Sequence, residues 1–137
     1  MKTLIERFLR YAKINTQSDP ESDTCPSTKR QWVLAQMLRD ELLDLGLEEV
    51  ILDERGYLTA TLPSNVQDPV PTIGFISHYD TSPDFSGDGV NPRLVEAYDG
   101  SDIILNAAEE IVLSPEYFPE LRQYVGQTLV VTDGTTL

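Results

Sequence analysis

The stretch Ile73-Gly74-Phe75-Ile76-Ser77-His78-Tyr79-Asp80-Thr81-Ser82-Pro83-Asp84 joins an apolar run to the single histidine of the sequence. Its first four residues have the length and composition of a strand that is covered on both faces, and prolines at positions 71 and 83 flank it. We therefore expect a buried strand that leads into a polar loop carrying His78.

His78 and Asp80 are two residues apart, so in an extended chain their side chains leave the same face. The end of a core strand is also where α/β sheets place their ligands. A carboxylate beside a histidine can fix the imidazole tautomer and strengthen the ring as a metal ligand. Two other interpretations stay open: a structural hydrogen bond for the lone histidine, and an Asx turn of Asp80 with Thr81 and Ser82.

Composition limits the classes of function. The chain has 137 residues, of which 40% are hydrophobic, enough for one domain with a modest core. The net charge of −13 argues against nucleic acid and anionic membrane surfaces as partners. Cys25 is the only cysteine, and the N-terminus lacks the apolar core of a signal peptide. Since no run approaches the ~20 apolar residues of a membrane span, we expect a cytoplasmic protein.

Local signals predict two helices in the first third of the chain. Thr3 and Glu6 form a capping-box pattern that opens a short amphipathic helix reaching about residue 13. Thr28 and Gln31 can cap a second helix, which Gly46 ends. Residues 15–27 between the two helices form a long polar loop.

The strand pattern is clearest after the second helix. Residues 49–52 and 58–62 predict a hairpin around the turn at 53–56, and residues 94–98 and 103–105 predict another around Asp99-Gly100. Residues 117–124 suit one or two helical turns, and residues 128–132 a last strand. This order of elements predicts an α/β fold with a mixed sheet.

The remaining candidate chemistry is weak. A catalytic zinc site needs at least three protein ligands and an open position, more than one histidine and its neighbours supply. Glu109 and Glu110 are adjacent charges in a polar stretch and predict a solvated face, and Cys25 has no second histidine to activate it. The metalloprotease motif His-Glu-x-x-His, phosphate-binding glycine loops and Gly-x-Ser-x-Gly are all absent.

Ordered sequence blocks carry a family resemblance along nearly all of the chain. They are Glu6-Arg7-Phe8-Leu9, Asn15-Thr16-Gln17-Ser18, Pro26-Ser27-Thr28, Ala60-Thr61-Leu62-Pro63, Gly74-Phe75-Ile76-Ser77-His78, Asp80-Thr81-Ser82-Pro83-Asp84, and Gly126-Gln127-Thr128-Leu129 through Thr132-Asp133-Gly134. In these blocks the chain resembles the tripeptide aminopeptidases of the di-zinc exopeptidase family, which also contains carboxypeptidase-G-like enzymes.

The resemblance implies a zinc-dependent aminopeptidase that releases the N-terminal residue from tripeptides, with two Zn²⁺ ions in the full-length enzyme. It makes His78 a zinc ligand and Asp80 an active-site residue. Between them, Tyr79 stands where the family has a small aliphatic residue, and we expect this change to affect sheet packing more than chemistry.

The resemblance also implies the fold: an α/β catalytic domain with a central mixed sheet flanked by helices, of which residues 1–137 are the N-terminal part. The other ligands, the general base and an inserted dimerisation domain would follow Leu137, so a homodimer is expected only of the longer form. The chain stops five residues after its last predicted strand. We therefore expect the 137 residues alone to be inactive.

Two alternatives remain at this point. The chain could be a non-catalytic truncated remnant with an exposed sheet edge that promotes aggregation. It could instead be an acidic module that binds Ca²⁺ or a basic peptide through the loop from Asp80 to Asp88, although that loop lacks the regular acidic spacing of an EF-hand.

Overall fold

The computed structural model describes residues 3–136. Its elements are, in chain order, α1 (Leu4–Tyr11), α2 (Gln31–Asp44), β1 (Glu48–Leu52), β2 (Leu58–Thr61), β3 (Arg93–Val95), β4 (Ile103–Asn106), β5 (Ile111–Leu113), a 3₁₀ helix (Pro119–Tyr124) and β6 (Leu129–Val131). The named strands pair in twos as antiparallel sheets: β1 with β2, β3 with β6, and β4 with β5. Helices and strands together confirm the α/β class, whereas the central mixed sheet stays a prediction for a longer chain.

The chain separates into two compact units. One is Thr16–Pro83, and the other combines the residues up to Asn15 with those from Asp84 onward. The assignment of residues 1–137 to a single catalytic domain stays a prediction.

In the unit Thr16–Pro83, α2 packs on the β1–β2 hairpin. Leu34 and Ala35 are buried on one face of α2, and Gln31 lies one turn earlier on the same face. A polar side chain in the apolar stripe must find hydrogen-bond partners inside, and Gln31 does so at the site described below.

Both ends of α2 lie close to their predicted signals. Gly46 adopts a φ of +79°, and its amide donates to the carbonyl of Leu43 (2.9 Å), as expected for a helix stop. At the start, the predicted cap by Thr28 is wrong: Arg30 is the N-cap and makes no side-chain capping bond, and the amide of Thr28 donates to Oε1 of Gln31 (3.4 Å). The hydroxyl of Thr28 donates instead to the carbonyl of Gln17 (3.0 Å) and so ties the helix to the preceding loop.

The first predicted hairpin is confirmed. Its turn is organised by Asp53, whose Oδ1 accepts hydrogen bonds from the amides of Arg55 (3.0 Å) and Tyr57 (2.8 Å). Gly56 has a φ of +83°, a left-handed conformation that residues with a Cβ atom rarely adopt.

The predicted buried strand at residues 73–76 is wrong for this chain. The segment is extended but belongs to no strand, and the exposed fractions of Ile73, Phe75 and Ile76 are 76%, 94% and 100%. A strand covered on both faces needs neighbouring strands and covering helices, and residues 3–136 place none against this segment.

In the second unit, Thr3 and Glu6 form the predicted capping box at the start of α1 (2.7 and 3.2 Å). The core consists of Tyr98, Ile103 and Leu121, with partly buried side chains from four strands packed against it: Val95, Leu105, Leu113 and Leu129. The predicted helical turn and last strand are confirmed as the 3₁₀ helix and β6.

The second predicted hairpin is wrong. β3 pairs with β6, and the pairing continues through Tyr98, whose amide donates to the carbonyl of Gln127 (2.9 Å). β4 pairs with β5, which the sequence patterns missed, around a turn in which Oδ1 of Asn106 accepts from the amides of Ala108 (3.0 Å) and Glu109 (3.2 Å). The chain therefore turns at Asp99-Gly100 as predicted, but the strands on either side of this turn do not pair with each other.

Candidate functional site

The backbone beside His78 is fixed by a short parallel bridge to the loop before α2. The amide of Thr81 donates to the carbonyl of Thr16 (3.2 Å), and the amide of Ser18 donates to the carbonyl of Thr81 (2.9 Å). Residues 16–18 and 80–81 are thus held side by side. This pairing brings the side chains of Ser18 and Asp80 into contact.

The structure brings the two predicted site residues together. Nδ1 of His78 lies 3.1 Å from Oδ1 of Asp80 and 2.9 Å from the carbonyl oxygen of the same residue. With Nδ1 engaged, Nε2 is the ring nitrogen that can bind a metal ion. The His78 side chain is 83% exposed, so a ligand can reach it.

Ser18 completes the surroundings of the Asp80 carboxylate. Its hydroxyl donates to Oδ2 of Asp80 at 2.6 Å, a short charge-assisted hydrogen bond. This bond, followed by the bond from His78, holds the pKa of the Asp80 carboxyl below its usual value although partial burial acts in the opposite direction. Asp80 is therefore an ionised acceptor at neutral pH.

Gln31 supports Ser18 from the interior. The residue is 3% exposed, and the two N–H groups of Nε2 are shared among three acceptors: the carbonyl of Thr16 (3.2 Å), Oγ of Ser18 (3.3 Å) and Oγ of Ser27 (3.3 Å). The sequence patterns treated Gln31 only as a capping residue and gave Ser18 no role. The available signal was a glutamine one helical turn before Leu34 and Ala35, on the buried face of α2.

Tyr79 anchors the same segment on a different element. Its hydroxyl donates to the carbonyl of Gly56 in the β1–β2 turn (2.7 Å). Burial raises the pKa of Tyr79, and the nearby Cys25, Asp80 and Asp53 raise it further. Sheet packing was the expected consequence of a tyrosine here, and the contact that the structure shows is with the turn.

The donor set fits one metal ligand and not a complete site. Among residues 3–136, no group of three or more histidine, cysteine, aspartate or glutamate side chains is placed to hold a metal ion. This finding gives no support to a Ca²⁺ site in the loop from Asp80 to Asp88. Within the His78–Asp80 pair, the imidazole of His78, with Nδ1 engaged and Nε2 available, suits zinc as a ligand.

The other candidate groups are not part of the His78–Asp80 pair. Glu109 and Glu110 are exposed in the turn between β4 and β5, as predicted. Sγ of Cys25 donates to the carbonyl of Arg55 (3.3 Å), and the residue is exposed. The structure pairs none of these three residues with His78.

Comparison with known proteins finds close sequence similarity to proteins named peptidase T. Proteins named peptidase T match the chain at 61% identity in Geobacillus thermodenitrificans and at 55% in Bacillus subtilis, in each case over 134 residues, 98% of this chain and 33% of the relative. The relative in Alkaliphilus oremlandii is 56% identical over 139 residues, 100% of this chain and 34% of its own length. This chain is thus a homologue of peptidase T, which confirms the resemblance predicted from the sequence blocks.

The chain spans about one third of the length of these curated relatives. No family model matches it. Within residues 3–136, none of the helices has both the length and the apolar character that crossing a membrane requires.

Proposed function

We propose that the longer protein to which this chain corresponds is a zinc-dependent aminopeptidase that releases the N-terminal residue from tripeptides. The observation that carries the proposal is the homology to peptidase T over 98% of the chain. The hydrogen-bonded pair of His78 and Asp80 supports it, because the pair has the geometry of a metal-binding imidazole with its orienting carboxylate.

In this proposal His78 binds zinc through Nε2, and Asp80 is an active-site residue that accepts the hydrogen bond from Nδ1. Bound zinc, with two ions expected in the full enzyme, would polarise the scissile carbonyl and make water a stronger nucleophile. Asp80 keeps the imidazole in the tautomer whose Nε2 lone pair is free. The expected partners are small peptides. Location in the cytoplasm and a homodimeric full-length form stay predictions. The lack of nucleic acid or membrane partners also stays a prediction.

The 137-residue chain by itself should have no peptidase activity. Its described residues supply one imidazole ligand, whereas a catalytic zinc site takes about three protein ligands. We therefore also expect weak zinc binding by the isolated chain.

The test compares the 137-residue chain with the product of the reading frame that continues past codon 137 in the source DNA. Both are assayed for release of the N-terminal residue from a free tripeptide, and zinc content is measured by mass spectrometry. The N-acetylated tripeptide controls for aminopeptidase specificity, and His78→Ala is compared with Asn91→Ala, a change at an exposed residue outside the proposed site.

The proposal predicts that the longer protein cleaves the free tripeptide, that it contains zinc, and that H78A removes both properties while N91A removes neither. A stop codon after Leu137 would identify the truncated remnant instead. Cleavage by the 137-residue chain alone would contradict the assignment of the active site to the longer protein.

A further inference from the structure

One chain of hydrogen bonds runs from the interior of α2 to the imidazole of His78. The bonds are Gln31 Nε2 to Ser18 Oγ (3.3 Å), Ser18 Oγ to Asp80 Oδ2 (2.6 Å), and His78 Nδ1 to Asp80 Oδ1 (3.1 Å). All of them lie within the unit Thr16–Pro83. What each group is able to donate determines the direction of each bond.

The groups at the two ends of this chain of hydrogen bonds, the amide of Gln31 and the carboxylate of Asp80, determine which atom donates in each bond. The amide nitrogen of Gln31 can only donate, so Ser18 accepts from it with a lone pair. The carboxylate of Asp80 can only accept, so the single hydroxyl proton of Ser18 points to Oδ2. The same carboxylate requires a donor from His78, and so does the carbonyl oxygen of Asp80, which lies 2.9 Å from the same Nδ1. Together they place the ring proton on Nδ1 and leave Nε2 as an acceptor.

The Asp80 carboxylate is held in position from two sides. Its residue lies directly after Tyr79, whose hydroxyl bonds to Gly56, while Ser18 reaches it from the loop before α2. Without Ser18, the carboxylate of a half-exposed residue can rotate about its side-chain torsions, since the 45% exposed Asp80 side chain is open to water. The buried amide of Gln31 in turn limits the positions that the Ser18 hydroxyl can take.

We propose that Ser18 and Gln31 are positioning residues that fix the Asp80 carboxylate and thereby select the Nδ1-protonated tautomer of His78. The role in zinc binding rests on the proposed function, whereas the effect on the tautomer does not. A purely structural serine would affect folding without changing which ring nitrogen carries the proton.

The test uses the single histidine of the chain. Long-range ¹H–¹⁵N correlation spectra of the ¹⁵N-labelled 137-residue chain distinguish the two neutral tautomers, at a pH two units above the usual imidazole pKa of about 6.5. The variants are Ser18→Ala, the conservative Ser18→Thr, and Ser22→Ala as a matched control. Ser22 lies in the same loop and bonds to Thr24. Circular dichroism and unfolding transitions test whether each variant is folded.

We expect the wild type, S18T and S22A to show mainly the Nδ1-protonated ring, and S18A to show a mixture in which the Nε2-protonated form rises severalfold. If S18A does not fold, Gln31→Glu replaces it, because a carboxylate at that position cannot donate to Ser18. A wild-type ring protonated mainly on Nε2, or an S18A ring identical to wild type, would overturn the proposal.

A second readout separates this proposal from the proposed function. In the longer protein, loss of a group that supports a metal ligand costs about 10–100-fold in metal affinity or activity, so S18A should weaken zinc binding at least tenfold and S22A should not. If the longer protein cleaves tripeptides equally well with and without S18A, the positioning role of Ser18 is contradicted and the proposed function is not. A tautomer shift in a protein without peptidase activity would leave the positioning role intact and remove the proposed function.

Discussion

Two neighbouring parts of one segment behave in opposite ways. Residues 73–76 are apolar and nevertheless exposed, with Ile76 fully open to solvent. Residues 79–81 are polar or amphipathic and are partly buried, and they bond to the loop before α2 and to the β1–β2 turn. The site residues of this chain are therefore positioned by directional hydrogen bonds and not by burial of the strand that precedes them.

The largest effect is expected where Tyr79 meets the turn. Gly56→Ala should cost about 2–3 kcal/mol of the free energy of unfolding, from the left-handed backbone and from displacement of the Tyr79 hydroxyl, 2.7 Å from the new methyl group. Gly46→Ala is the matched control, because its φ is also positive and nothing lies within 4 Å of the position that its new methyl group would take. Urea unfolding of the 137-residue chain measures both.

A double variant makes this comparison sharper. In a Tyr79→Phe background the hydroxyl is absent, so the cost of G56A should fall, although it should stay above that of G46A because Cγ of Pro26 lies 3.0 Å from the new methyl group. An equal cost of G56A with and without the hydroxyl would show that Tyr79 does not anchor the segment.

The next largest loss of stability is expected on removing the buried side-chain amide of Gln31. Gln31→Met keeps the length of the side chain but leaves the carbonyl of the buried Thr16 without this donor, which should cost about 2 kcal/mol. Gln36→Met is the matched control on the exposed face of the same helix and should change little. Similar thermal unfolding midpoints for the two variants would mean that the buried network does not stabilise the unit.

Most of the correct and wrong predictions follow the range of the interactions, with the local β4–β5 hairpin as the exception, since it was missed. The α1 cap, the end of α2 at Gly46 and the Asp53 turn depend on residues within a few positions, so local signals suffice for them. The pairing of β3 with β6 and the exposure of residues 73–76 depend on distant parts of the chain, which no local pattern contains.

The site divides in the same way. The contact between His78 and Asp80 follows from the two-residue period of an extended chain. Ser18 lies 62 positions from Asp80, and its partner Gln31 faces inward from a helix. The sequence blocks contained Ser18, but only the folded backbone shows that it touches the carboxylate.

A smaller effect is expected from the Tyr79 hydroxyl alone. Tyr79→Phe should cost about 1 kcal/mol at neutral pH through loss of the bond to Gly56. Because the folded-state pKa of Tyr79 is raised, its contribution is present below the unfolded-state value of about 10 and is lost as pH rises through the higher folded-state value. Unfolding curves of wild type and Y79F should therefore differ less at strongly alkaline pH, and a constant difference would contradict the burial of this hydroxyl.

The smallest effect on stability is expected in the apolar part. Phe75→Ser or Ile76→Ser should change the unfolding free energy of the 137-residue chain by about 0.5 kcal/mol or less, since both side chains are exposed. The same changes should reduce self-association, because residues 72–77 form an uncharged, proline-free window. Light scattering and urea unfolding provide the two readouts, and a loss of several kcal/mol would show that the segment is buried after all.

Amide hydrogen exchange, followed residue by residue by NMR in the 137-residue chain, tests the central comparison most directly. The hydrogen bonds of residues 16–18 with 80–81 predict slow exchange at the amides of Ser18 and Thr81 and fast exchange at Phe75 and Ile76. Slow exchange at Phe75 and Ile76 together with fast exchange at Ser18 and Thr81 would contradict it, because burial of the strand would then position His78.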